Sequence, residues 1–245
     1  MKYDERHPRN VLDFYAAKKT EGNGAPILVW FHGGGFKKGD KSSIGKHARK
    51  MLEAYLDAGY AVASCNYPYL DKKGGIDYPD IARHCARAVR FIRSQATEWK
   101  IDPQRLCAAG ISAGALISEC LAYHDHLDSG LAANDPTKKF SSRPNLAISH
   151  LQPIGTRDFA LVHMDKGEPP LFIYTNAPKT DRIHNPEEAL KIRDKAKALE
   201  IPCVAIGGGR NALPKPTSGK SWLQMQLKFC ETHLKLEQKS ESDTP

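Results

Sequence analysis

The stretch LCAAGISAGALISECLA, residues 106–122, changes character at its centre. Before the centre, Leu106 to Ala109 is a short apolar run without alternation, as expected of a strand covered on both faces. After it, Ala113 to Ala122 is small, apolar and rich in helix formers. Between the two, Gly110-x-Ser112-x-Gly114 suits a turn so sharp that only small residues fit beside the serine. Such a turn lifts the Ser112 hydroxyl clear of the strand. It also aims the N–H of Ala113 outward at the opening of a helix, where negative charge is favoured.

Working outward, the same alternation runs through the chain. Buried strands are predicted at 26–31, 60–67, 105–109, 145–149, 171–175 and 203–206, each a nearly continuous apolar run. Helices are predicted between them. Ile81, Cys85, Ala88 and Ile92 fall on one face at 3.6 periodicity, with arginines opposite. Asn185 is a predicted N-cap, followed by Pro186 and two glutamates in the first turn, with Ala189, Ile192, Ala196 and Leu199 as the apolar face. A closing helix presents Trp222, Met225 and Phe229. Alternating strands and helices predict an α/β fold: a mostly parallel, doubly wound sheet with helices on both faces.

The 245 residues, 40% hydrophobic and 26% charged, suit one domain spanning 1–245. The irregular stretch 124–144 is the candidate for a lid or substrate-facing loop, and the polar tail 236–245 is expected to fray. Every apolar run is too short to span a bilayer. The charged start MKYDERHPRN has no apolar signal core, so a cytoplasmic location is expected. The net charge of +8 comes from Lys and Arg spread along the chain without a nucleic-acid motif, which favours a basic surface over nucleic-acid binding. The six cysteines have neither CxxC nor zinc-type spacing and read as buried reduced thiols.

A second motif, VWFHGGGFKKGDKSS, places Gly33, Gly34 and Gly35 after a strand and a histidine. Three glycines let the backbone itself approach a ligand and present N–H groups to it. The spacing fits neither a Walker phosphate loop nor a dinucleotide fingerprint.

With HGGGF upstream and GISAG downstream, NYPYL and WKIDPQRLCAAG between, and HPRNVLDFYAAKK at the start, the chain resembles α/β-hydrolase carboxylesterases and lipases of the hormone-sensitive-lipase-like type. The resemblance implies Ser112 as nucleophile, the N–H groups of Gly34, Gly35 and Ala113 as an oxyanion hole, and His32 as a residue shaping the glycine loop. It also implies an acid after the strand LFIYT. Asp181 stands there, in a loop longer than the family's H-G-x-x-D; Asp165 is a second choice that precedes the strand. No metal or organic cofactor is implied, and the partner is a small-molecule ester.

The family's base is a histidine after the final strand. Here IGGGRNALPKP supplies the strand and glycines, with Arg210 in the histidine's place. Arginine stays protonated and has no acceptor lone pair, so it cannot take a serine proton. Three arrangements follow: an impaired or purely ligand-binding relative; another base, with His184 first and His150 and His163 behind it; or an otherwise intact enzyme altered at 210. As an ordinary surface residue, His184 would simply start a helix. The expected function is carboxylic ester hydrolysis through a Ser112 acyl-enzyme, with impaired turnover. The alternative is a catalytically inactive small-molecule binding protein.

Overall fold

A computed structural model of the chain describes residues 1–19, 22, 24–127, 131–208, 211–217 and 219–234. Arg210 and the tail 236–245 lie outside the described residues. Seven strands form one sheet: β1 (Leu12–Tyr15), β2 (Ala25–Phe31), β3 (Ala61–Cys65), β4 (Ile101–Ile111), β5 (Leu146–His150), β6 (Leu171–Thr175) and β7 (Cys203–Gly207). Their order is β1-β3-β2-β4-β5-β6-β7. β1 runs antiparallel to β3, and the other pairs are parallel. The expected mostly parallel sheet is therefore observed.

Among the described residues, seven α-helices accompany it, α1 (Ser43–His47), α2 (Arg49–Asp57), α3 (Tyr78–Ser94), α4 (Ala96–Trp99), α5 (Ala113–Tyr123), α6 (Pro186–Ala198) and α7 (Trp222–His233), with a π-helical turn at Arg157–Leu161. Alternate side chains of β2 show why both faces are covered, because successive residues of a strand point to opposite sides. Ile27, Val29 and Phe31 join a core with Ile81, Cys85 and Val89 of α3 and Leu116 and Ile117 of α5. Leu28 and Trp30 join a second core with Met51, Leu52 and Tyr55 of α2 and Phe229 and Cys230 of α7. α6 buries Ala189, Ile192 and Ala196, as its sequence periodicity predicts. Its start is capped by the Asn185 side chain, which accepts the Glu187 N–H at 3.0 Å. Five of the six cysteines are buried and Cys203 is partly so. Among the described residues, no helix is long and apolar enough to cross a membrane.

One face departs from its sequence reading. The arginines opposite the apolar stripe of α3 do not all face water: Arg90 and Arg93 are buried. Arg93 donates to the Arg143 carbonyl at 2.8 Å and to Asn145 Oδ1 at 3.1 Å, and Arg90 donates to the Leu127 carbonyl at 3.4 Å. Two described residues of the 124–144 excursion, Leu127 and Arg143, thus meet α3, and Asp135 within it pairs with Arg6. Amphipathic spacing marks which side chains meet the sheet; it says nothing about a later loop that covers the polar face.

Candidate active site

The turn at Ser112 is built as its glycines require. Ser112 has φ 55° and ψ −118°, a combination that non-glycine residues rarely adopt. Such a conformation costs on the order of 1–3 kcal/mol and persists where the surroundings over-determine it. Here the Ser112 N–H donates to the His150 carbonyl at 2.9 Å, and the Ser112 carbonyl accepts the Ala115 N–H at 2.8 Å as α5 begins. A Cβ at Gly110 would stand 2.2 Å from the Gly114 carbonyl carbon, and one at Gly114 would stand 2.0 Å from the Phe31 carbonyl oxygen. Both neighbours are backbone and cannot step aside.

The glycine loop lies against this turn. A Cβ at Gly33 would approach the Ser112 Cβ to 3.3 Å, and one at Gly34 would overlap the Lys38 carbonyl oxygen at 2.0 Å. Gly34 (φ 123°) and Gly35 (φ 62°) both use the left-handed backbone region. His32 holds the loop rather than entering it. It is buried, its ring stacks on Tyr67 at 4.3 Å, and its Nδ1 donates to the Gly33 carbonyl at 2.8 Å. Burial pushes its pKa down to about 4.

The imidazole beside Ser112 comes from one loop earlier in the chain than the family pattern placed it. His184 Nε2 lies 2.9 Å from Ser112 Oγ. His184 Nδ1 lies 3.5 Å from Asp181 Oδ2. Asp181 also folds the loop on itself, since its Oδ1 accepts the N–H groups of His184 at 2.8 Å and Ile183 at 2.9 Å. Those two donors, His184 first, hold its carboxyl below the usual carboxylate range. Ser112, His184 and Asp181 therefore stand in line. Of the three arrangements that Arg210 left open, this geometry matches the one with His184 beside the serine, carried there by the interval between β6 and α6. The signal for this was Asp181-x-x-His184 itself, a spacing at which an acidic side chain can cap the backbone carrying the histidine.

The other candidates lie elsewhere. His150 is buried, its Nε2 2.8 Å from Gln226 Oε1 and its ring between Trp30 and Trp222. His163 sits by the Asp158 carbonyl at 3.2 Å. Asp165 is exposed, and its N–H is held by Glu168.

Ser112, Ala113 and Gly35 line a cavity of about 570 Å³. Its walls are mainly apolar: Phe36, Tyr78, Leu116 and Phe159, with the segment Pro153–Ile154–Gly155 on one side. Phe36 stacks on Phe159 at 5.7 Å, and Tyr78 meets both rings edge-on. Of the described part of 124–144, His124 is among the lining residues, and another part of the wall comes from 153–155, Asp158 and Phe159. Gly34 lines a second cavity, of about 1150 Å³, across the glycine loop.

Sequence reasoning also missed Glu119, a lone carboxyl inside the apolar helix α5. Glu119 is buried, with Oε1 2.6 Å from Ser149 Oγ and Oε2 accepting from Gln152 Nε2 at 3.0 Å. It therefore ties α5 to the segment that walls the cavity. Burial raises its pKa from 4.5 to about 8. The folded chain keeps this proton up to about pH 8, whereas the unfolded chain releases it near 4.5. Between those values the native state binds more protons, so stability is full below the window and falls as pH rises through it. Thermal melts from pH 5 to pH 8 are expected to show a smaller decline for Glu119→Gln than for the wild type. Equal declines would mean that Glu119 is ionised in the fold.

A family model, BD-FAE, matches residues 12–168, well over half of the chain. The chain belongs to the BD-FAE family. The matched segment contains the glycine loop and Ser112 but stops short of Asp181 and His184. A curated relative, the probable isoprenylcysteine alpha-carbonyl methylesterase ICMEL2 of Arabidopsis thaliana, is 31% identical over 122 residues; these make up 48% of this chain and 26% of that protein. Among solved structures, esterase 2 of Thermogutta terrifontis phosphorylated by paraoxon superposes with a TM-score of 0.75 at 20% identity, covering 95% of this chain and 92% of that one. A truncated carbohydrate esterase from gut microbiota gives a TM-score of 0.77 at 14% identity, covering 96% and 95%. The α/β-hydrolase fold is thus shared with esterases.

Proposed function

We propose that this BD-FAE family member is a serine carboxylic ester hydrolase, a single catalytic domain with Ser112 as nucleophile, His184 as base and Asp181 as the acid that orients it. The single observation that carries this reading is the 2.9 Å contact between Ser112 Oγ and His184 Nε2. With its Nδ1–H turned toward Asp181, His184 leaves Nε2 free to accept the serine proton. Ser112 Oγ then bonds to the ester carbonyl carbon, and the carbonyl oxygen takes the negative charge. The N–H groups of Gly34, Gly35 and Ala113 receive that charge; such a donor contributes about 2.7–4 kcal/mol in comparable sites. The imidazolium returns its proton to the departing alkoxide, leaving an acyl-serine and an alcohol. Water repeats the sequence, with His184 accepting its proton, and releases the acid.

The substrate on this reading is a small-molecule ester, with one half in the apolar cavity beside Ser112. The relatives named as esterases and a methylesterase agree with that chemistry. Use of buried thiols suits a reducing, cytoplasmic setting. The test is hydrolysis of p-nitrophenyl acetate and butyrate by the wild type and by Ser112→Ala. Turnover lost in Ser112→Ala is the expected result. Binding of these esters without Ser112-dependent turnover would favour the ligand-binding alternative.

A further inference from the structure

Among the described residues, five large hydrophobic side chains are exposed: Met1, Tyr78, Ile154, Val162 and Ile183. Single exposed side chains need no explanation, but a contiguous group does. Three of these five, Tyr78 (42% exposed), Ile154 (55%) and Ile183 (55%), line the cavity that holds Ser112. The lip is built, not scattered. The Ile154 N–H donates to the Ile183 carbonyl at 2.7 Å, joining the segment after β5 to the loop that carries His184.

Resting on the ester-hydrolase reading, we propose that one half of the substrate is an aliphatic chain that runs from Ser112 through the cavity to its exposed rim. Its near methylenes lie among Phe36 and Phe159, and its distal methylenes lie along Tyr78, Ile154 and Ile183. Continuity identifies the occupant. The lip is the outer rim of the Ser112 cavity, so whatever covers it stands over the entrance. A chain already attached to the ester carbonyl covers the rim while leaving that carbonyl at Ser112. It also shields the Ser112–His184 contact from water. A methylene laid on such a rim is expected to raise kcat/KM about two- to four-fold, the upper value corresponding to full burial.

The experiment compares p-nitrophenyl acetate, butyrate, octanoate and decanoate, below their aggregation concentrations and, for decanoate, also above it, with the wild type, Ile154→Ser and Ile183→Ser. The quantity read is the ratio of kcat/KM for decanoate to that for acetate, which cancels general harm to the Ser112 chemistry. The expected wild-type ratio is well above one, and each serine variant lowers it by about three- to ten-fold. A wild-type ratio that falls beyond butyrate, or a ratio unmoved in both variants, overturns the proposal. A preference for decanoate that emerges only above its aggregation concentration would assign the lip to a lipid surface and likewise overturn it. So would a dimer in sedimentation that Ile154→Ser dissociates, since a second copy would then own the lip. Absence of Ser112-dependent acetate turnover would sink the underlying reading, and a flat chain-length profile with intact acetate turnover would sink this inference alone.

Discussion

Exchange of His184 for alanine is expected to lower kcat for p-nitrophenyl butyrate by roughly 10⁴–10⁶-fold, the range seen when a triad base is removed. His184 is the imidazole within hydrogen-bond reach of Ser112 Oγ, and the other histidines weighed for the role are engaged elsewhere. The loss should fall on kcat more than on KM, because proton transfer is needed in the transition state and not for binding. The double variant Ser112→Ala/His184→Ala should be no slower than either single one, since the pair acts as a unit. Arg210→His is expected to gain nothing comparable: a base already stands at Ser112. A strong gain from Arg210→His, with His184→Ala close to wild type, would return the base to the loop after β7.

The second large effect is expected at Asp181. Asp181→Asn should reduce kcat by about 10²–10³-fold, below the roughly 10⁴-fold of a fully buried triad acid. The smaller figure follows from geometry. Asp181 Oδ2 stands 3.5 Å from His184 Nδ1, and its side chain is 32% exposed, so solvent screens the pair. An asparagine oxygen can still accept the N–H groups of Ile183 and His184, so the loop keeps its shape and only the charge is lost. Asp181→Ala removes those acceptors as well and should be slower still. If Asp181→Asn and Asp181→Ala both retained near wild-type kcat, the carboxylate would be a loop cap alone. Because its backbone donors depress its pKa, Asp181 stays ionised at mildly acidic pH and its protonation does not limit turnover there.

Much of this was legible from residue patterns that leave little freedom. The strand runs and the face Ile81, Cys85, Ala88 and Ile92 predicted the doubly wound sheet because a strand buried on both faces must be apolar throughout. Gly110 and Gly114 marked the Ser112 turn because backbone atoms fill the space a side chain would need. His184 was harder to read. It belongs to a loop that is longer than the family pattern and lies outside the matched segment 12–168, so its partner depended on how the loop closes. That closure is set by two N–H bonds to Asp181, a local choice that periodicity does not register. Arg90 and Arg93 misled for a related reason: long-range contacts with Leu127, Arg143 and Asn145, not local spacing, accompany their burial. The cavity wall at 153–159 depends likewise on the bond between Ile154 and Ile183.

The most direct test of His184 as the base of Ser112 is the rate at which paraoxon phosphorylates the protein, followed by intact mass and located by peptide mapping. The phosphorylated Thermogutta terrifontis esterase 2 shows that a neighbour of this fold takes that modification. One equivalent on Ser112 in the wild type, slowed at least a thousandfold in His184→Ala and unchanged in Arg210→His, is the predicted result. Labelling of Ser112 at the same rate in His184→Ala would contradict it.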